Sequence, residues 1–148
     1  MSDIVYFSRD ADPRAVAPTR GHPTDAGYDL TVLTIDKDYG NGVVRYDTGI
    51  RFERVPAGIY FDLVARSSLA SLGYMLANGV GIIDNGYRGN LKILLYKFDP
   101  NAADLKLPAR VAQIIPRQMQ TRISFTETVD TPLDTTSRGT GGFGSTNN

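Results

Sequence analysis

The chain has 148 residues, no cysteine, a single histidine (His22), and sixteen basic and sixteen acidic side chains that cancel. That length suits one domain with a real core. A net charge of zero leaves no overall field to draw the chain to nucleic acid or membrane, so any grip on phosphate has to come from a few placed groups. The missing thiols exclude disulfides, Cys nucleophiles and Cys-based zinc sites, and one His excludes His-based triads and multi-His metal sites within one chain. A general base is then a carboxylate, with Tyr or Lys a poorer choice.

Met1 to Asp10 carries Asp3, Arg9 and Asp10 and has no signal-peptide pattern. No apolar run approaches membrane-spanning length, so a cytoplasmic protein is expected, or one of the host cytoplasm if viral. Ile4 to Phe7 predicts a short strand, followed by a polar loop through Pro23. TDAGYDLTV, Thr24 to Val32, sets Asp25 and Asp29 around a glycine and then runs into a strand. Val43 to Phe52 has strand composition, with Gly49 as a bulge or a close approach. After the turn Pro56-Ala57-Gly58, Ile59 to Val64 predicts another strand. ARSSLASLG, Ala65 to Gly73, is small and hydroxyl-rich, with Leu69 and Leu72 three apart, and predicts a strand end entering one short helical turn.

In NGVGIIDNGYRGNLKILLY, Asn78 to Tyr96, two apolar runs (Val80 to Ile83 and Leu91 to Tyr96) flank Asn85-Gly86. Asn-Gly between apolar runs predicts a β-hairpin. The carboxylate of Asp84 would then be held by two strands, with apolar neighbours to exclude water and raise its basicity, and with Tyr87 and Arg88 just across the turn. Asp is also common at the first position of turns, so this stretch alone leaves a structural Asp84 open.

Asp99 to Pro108 is a turn-rich connection, and Arg110 to Pro116 and Arg122 to Val129 predict two further strands. No segment sustains a 3.6-residue apolar period, and Gly and Pro recur throughout. The fold class is therefore all-β, a jelly-roll-like sandwich or barrel over residues 1–134. From residue 135 the composition shifts to TTSRGTGGFGSTNN, whose four glycines cannot build a core, and a flexible arm over 135–148 is expected. A spacer has no need of Phe143, whereas an arm closing over a flat ligand does, because a ring stacks on a base. Arg138 offers a fork to phosphate and the glycines offer N–H groups, though the Gly-Lys-Ser/Thr ending of a Walker loop is missing.

Five segments, AGYDL (Ala26–Leu30), ARSSLA (Ala65–Ala70), NGVGIIDNGYRG (Asn78–Gly89), RVAQIIP (Arg110–Pro116) and RGTGGFGST (Arg138–Thr146), resemble the five ordered motifs of the trimeric dUTPase family. The resemblance spans nearly the whole chain. It implies hydrolysis of dUTP to dUMP and pyrophosphate on a jelly-roll-like β fold, by a homotrimer with Mg²⁺ and shared active sites. Asp84 matches the carboxylate that deprotonates the water attacking the α-phosphorus. Tyr87 matches the ring that packs on deoxyribose and excludes a 2′-hydroxyl, and Asn78 with the backbone through Ile82 and Ile83 matches the hairpin that reads uracil. Arg66, Ser67, Ser68 and Gln113 match groups that hold the phosphates. Arg138, Phe143, Gly144, Ser145 and Thr146 match the arm, Phe143 lying over uracil and the others on the γ-phosphate. Asp29 matches a carboxylate near Mg²⁺ through water, the metal being held mainly by the triphosphate.

The chain departs from the family pattern at Ser68, where Gly is common, at Asn85-Gly86, where a Ser/Glu-Asp pair is frequent, and at Ala109, where an acidic residue is usual. A dCTP deaminase of the same fold is the nearest alternative. It carries Arg where this chain has Ser71 and a catalytic Glu where it has Leu94, and Leu cannot shuttle protons. A non-catalytic nucleotide-sensing regulator of the same fold is a second alternative.

Overall fold

The structure is a computed structural model describing residues 3–9, 12–129 and 134–144. Ser145 and Thr146 of the expected arm lie outside the described residues. Among the described residues there are nine strands and one 3-10 turn. The strands are β1 (Tyr6–Ser8), β2 (Tyr28–Val32), β3 (Thr34–Gly40), β4 (Val43–Arg54), β5 (Ile59–Ala65), β6 (Tyr74–Leu76), β7 (Gly81–Ile83), β8 (Asn90–Lys97) and β9 (Ala109–Gln118). They form two antiparallel sheets. One runs β1-β4-β8-β6, with β3 also beside β4, and the other runs β2-β9-β5-β7.

Alternation drives this pairing. Phe61 and Leu63 of β5, Ile50 and Phe52 of β4, and Leu91, Ile93 and Leu95 of β8 all point inward and are buried. Complete burial of each such side chain stabilises by roughly 1.5–3 kcal/mol. The Phe52 and Phe61 rings, one from each sheet, meet with centroids 4.9 Å apart. Gly49 is the anticipated bulge. Between the pairs Asp47↔Lys92 and Arg51↔Asn90, β4 advances four residues while β8 advances two. Gly49 has φ +69°, and a Cβ there would lie 3.2 Å from Ala15 Cβ. The bulge leaves Thr48 fully buried, where its hydroxyl donates to the Leu91 carbonyl at 2.7 Å and accepts from Ile50 N–H at 3.1 Å.

The expected hairpin across Asn85-Gly86 does not form. β7 pairs with β5, whereas β8 pairs with β4 and β6 in the other sheet. The Asn-Gly segment is instead a crossover between sheets, closed locally by Tyr87 N–H on the Asp84 carbonyl at 3.1 Å. An apolar run on each side signals two strands but does not make them partners, and the eight-residue β8 finds longer ladders elsewhere. Arg122 to Val129 is likewise not a strand, and Ile123, Phe125 and Val129 are exposed, Phe125 to 98%. β3 and β6 were not anticipated: β3 is exposed along its length and β6 has three residues, so neither carries a strong alternating signal.

Candidate active site

Three motif segments converge where β2, β5 and β9 lie side by side. Asp29 of β2 pairs with Gln113 of β9, which in turn faces Val64 of β5. Arg66 leaves the end of β5 with its backbone N–H on the Val111 carbonyl at 3.1 Å. Its Nε sits 3.1 Å from Asp29 Oδ1 and its Nη1 donates to the Arg110 carbonyl at 3.0 Å. Gln113 Nε2 donates to the Ala65 carbonyl at 3.1 Å. A Cβ at Gly27 would lie 2.8 Å from Gln113 Cδ, so the glycine of AGYDL makes the seat for this amide. Ser67 and Ser68 follow, exposed, and the Ser68 carbonyl accepts from the Ser71 hydroxyl at 2.7 Å. The result is a polar, cationic ledge with Arg66, Arg110 and amide groups about one carboxylate.

A second group surrounds a cleft of about 260 Å³. Asn78, Gly81, Ile82, Ile83 and Tyr87 line it together with the apolar Leu63, Leu91 and Leu94. Gly81 allows the Asn78 amide to lie close, since a Cβ there would meet Asn78 Nδ2 at 3.2 Å. The Tyr87 hydroxyl donates to the Asn90 carbonyl at 2.8 Å, and a Cβ at Gly89 would come within 2.7 Å of ring carbon Cζ. Glycine at 89 therefore sets where that ring can lie. Arg45 and Lys92, which sequence reasoning passed over, also line the cleft, and both pair with Asp36. The hydrogen bond from Arg45, then that from Lys92, holds the Asp36 carboxyl below its usual range. These residues sit on three different strands, and only the register brings them together. A larger apolar cleft of about 410 Å³, lined by residues such as Val5, Phe52 and Ile114, contains none of the expected site residues.

Asp84 stands at the end of β7 and is exposed. Its own chain does not supply the expected shield from water, because β8 lies in the other sheet. The antiparallel register Ile83↔Phe61 carries Asp84 toward the start of β5, while Arg66 lies past its other end. At about 3.3 Å per residue the two are separated by roughly 17–20 Å of strand. The ledge and Asp84 are thus at opposite ends of β5.

Arg138 and Phe143 are exposed, and the hydrogen bonds described around them are local, including Arg138 Nε to the Gly141 carbonyl at 2.9 Å. Phe143 and Gly144 take positive φ values of 50° and 79°. Among the described residues no three His, Cys, Asp or Glu side chains cluster as a metal cage. Asp29 faces Arg66 through Oδ1 at 3.1 Å and Arg110 through Oδ2 at 4.0 Å, which leaves no place for a directly bound ion. That donor set fits an ion carried mainly by substrate oxygens and reached from Asp29 through water.

The dUTPase family model matches residues 14–147. The chain belongs to the dUTPase family. The deoxyuridine 5'-triphosphate nucleotidohydrolase of Mus musculus is 40% identical over 140 residues, covering 89% of this chain and 78% of that protein. Among solved structures, the Staphylococcus bacteriophage 80alpha dUTPase with dUPNHPP superposes with a TM-score of 0.69 at 23% identity, covering 99% of both chains. A dUTPase from phage phi11 of S. aureus, described with a structural Mg(II) ion, gives 0.66 at 20% identity, covering 86% of this chain and 99% of that one. The jelly-roll-like dUTPase fold is the fold of this chain. Among the described residues, no helix is long and apolar enough to cross a membrane.

Proposed function

We propose that the chain hydrolyses dUTP to dUMP and pyrophosphate. The observation that carries this reading is the cleft lined by Asn78, Ile82, Ile83 and Tyr87, with the carboxylate of Asp84 following directly on β7. Asp84 takes a proton from a water whose oxygen bonds the α-phosphorus as the bond to the bridging oxygen breaks. The Asn78 amide and the β7 backbone read uracil, and Tyr87 covers the deoxyribose. Buried hydrogen-bonding groups reject analogues that leave them unpaired. Arg66, Ser67, Ser68 and Gln113 hold the phosphates. Residues 135–148 form the closing arm, with Phe143 on the base and Arg138, Gly144, Ser145 and Thr146 on the γ-phosphate.

Asp29 would reach, through water, a Mg²⁺ carried by the triphosphate, and that ion would supply charge neutralisation at the phosphate oxygens. The active unit is a homotrimer. The number three follows the family resemblance, and two observations support more than one copy: the roughly 17–20 Å between Asp84 and Arg66 along one β5, and the exposure of Ile123, Phe125 and Val129 in a single chain. A second copy can bring its ledge to the Asp84 of the first. Deamination is disfavoured because Leu94, where that chemistry needs a carboxylate, lines the cleft.

Pyrophosphate release measured on dUTP, UTP, dTTP and dCTP, with and without Mg²⁺, tests the reading. Release from dUTP alone, dependent on Mg²⁺, is expected; ammonia from dCTP, or no release from dUTP, overturns it. A variant ending at residue 137 should fold and turn over poorly.

A further inference from the structure

Asn85 stands where the family often has Ser or Glu, and it does more than form a turn. Its side chain is half-buried, and its one NH₂ group donates both hydrogens, to the Pro56 and Ile59 carbonyls, each at 2.8 Å. Carbonyls only accept, so the amide has a single useful orientation. The two acceptors belong to the tight turn between β4 and β5, which is closed by Ile59 N–H on Pro56 O at 3.3 Å and has Gly58 at φ +78°. That turn is itself held, since the Gly58 carbonyl accepts from Met119 N–H at 2.7 Å. On the other side of Asn85, Arg88 Nη1 donates to the Asn85 and Tyr87 carbonyls at 2.8 and 2.9 Å. The residue next to the exposed Asp84 is therefore fixed on two sides, while Asp84 itself is held by β7 and by Tyr87 N–H on its carbonyl.

We infer that Asn85 is a positioning residue for Asp84: its amide clamps the 84–87 turn to the Pro56–Ile59 turn and so aims the carboxylate. The inference rests on the proposed hydrolysis, in which Asp84 activates water. A chain with a small side chain at 85 keeps the strand and the turn and loses the clamp. Asn85→Asp keeps the shape but sets carboxylate oxygens against two carbonyl oxygens and swings away.

The test compares wild type, Asn85→Ala and Asn85→Asp in Mg²⁺ buffer for pyrophosphate release from dUTP, affinity for a non-hydrolysable dUTP analogue, and melting temperature. Misplacing a catalytic group by about 1 Å costs up to about 100-fold in rate, so kcat should fall roughly 10- to 100-fold in both variants. Analogue affinity should stay within about threefold of wild type, because the base and phosphate contacts lie elsewhere. Hydrogen exchange at the 86–88 amides should quicken in Asn85→Ala while β7 amides stay protected, a readout independent of activity. Unchanged kcat, or a loss of affinity as large as the loss of kcat, overturns the inference. A wild-type chain that releases no pyrophosphate from dUTP overturns the functional reading instead, and the exchange measurement then decides the clamp by itself.

Discussion

Asp29 on β2 holds Arg66, at the exit of β5, through an ion pair of 3.1 Å. This contact joins the first two motif segments before any substrate arrives. Lysine cannot reproduce the fork that reaches Asp29 and the Arg110 carbonyl together. Arg66→Lys is expected to lower kcat/KM for dUTP by about 10- to 100-fold, the equivalent of the roughly 1.5–3 kcal/mol carried by a hydrogen bond to a charged group. Steady-state kinetics at fixed ionic strength checks it; an unchanged kcat/KM would make the pair a surface ornament.

On the proposed mechanism, Asp84→Asn removes the base and little else. Turnover should drop about 10²- to 10⁴-fold, the usual range for a lost general base, with analogue affinity retained. Comparable losses in binding and turnover would assign Asp84 to the turn and not to the chemistry.

Gly89→Ala tests the seat beneath Tyr87. The added methyl would stand 2.7 Å from Cζ, so the ring has to tilt. The preference for dUTP over UTP should shrink by about tenfold, or roughly 1.4 kcal/mol. Competition assays with the two nucleotides read the ratio directly, and an unaltered ratio rejects the role given to the ring.

Tyr46 supplies a pH signature. The residue is buried, and burial pushes its phenol up to about 12. In the unfolded chain a phenol titrates near 10, so below about pH 10 both states are protonated and the stability is whole. Between about pH 10 and 12 the unfolded state loses its proton first, and stability falls as pH rises. Tyr46→Phe should flatten the alkaline limb of urea midpoint against pH, and a curve parallel to wild type would place the titration on another tyrosine.

Much of this architecture was legible locally. Gly49 showed as a bulge because a lone glycine in a strand pattern has few other uses, and the short helical turn after β5 followed from ARSSLASLG. What failed was pairing. Val80–Ile83 and Leu91–Tyr96 read as partners because Asn-Gly speaks for a turn, yet which strand receives a ladder is decided by contacts distant in sequence. The site divides the same way. Asp29, Arg66 and Gln113 were found as separate motif residues, while their meeting depends on the β2-β9-β5 register. Arg45 and Lys92 lack any motif and became visible only where they border the cleft.

The length of β5 has a practical corollary. If water activation and phosphate grip sit at opposite ends of one strand, neither end of an isolated chain is whole, and dilution should extinguish turnover faster than in proportion to enzyme concentration. It follows that Asp84→Asn and Arg66→Lys chains, each crippled alone, should regain a fraction of activity once unfolded and renatured as a mixture, because some neighbours then lend one another the half they lack.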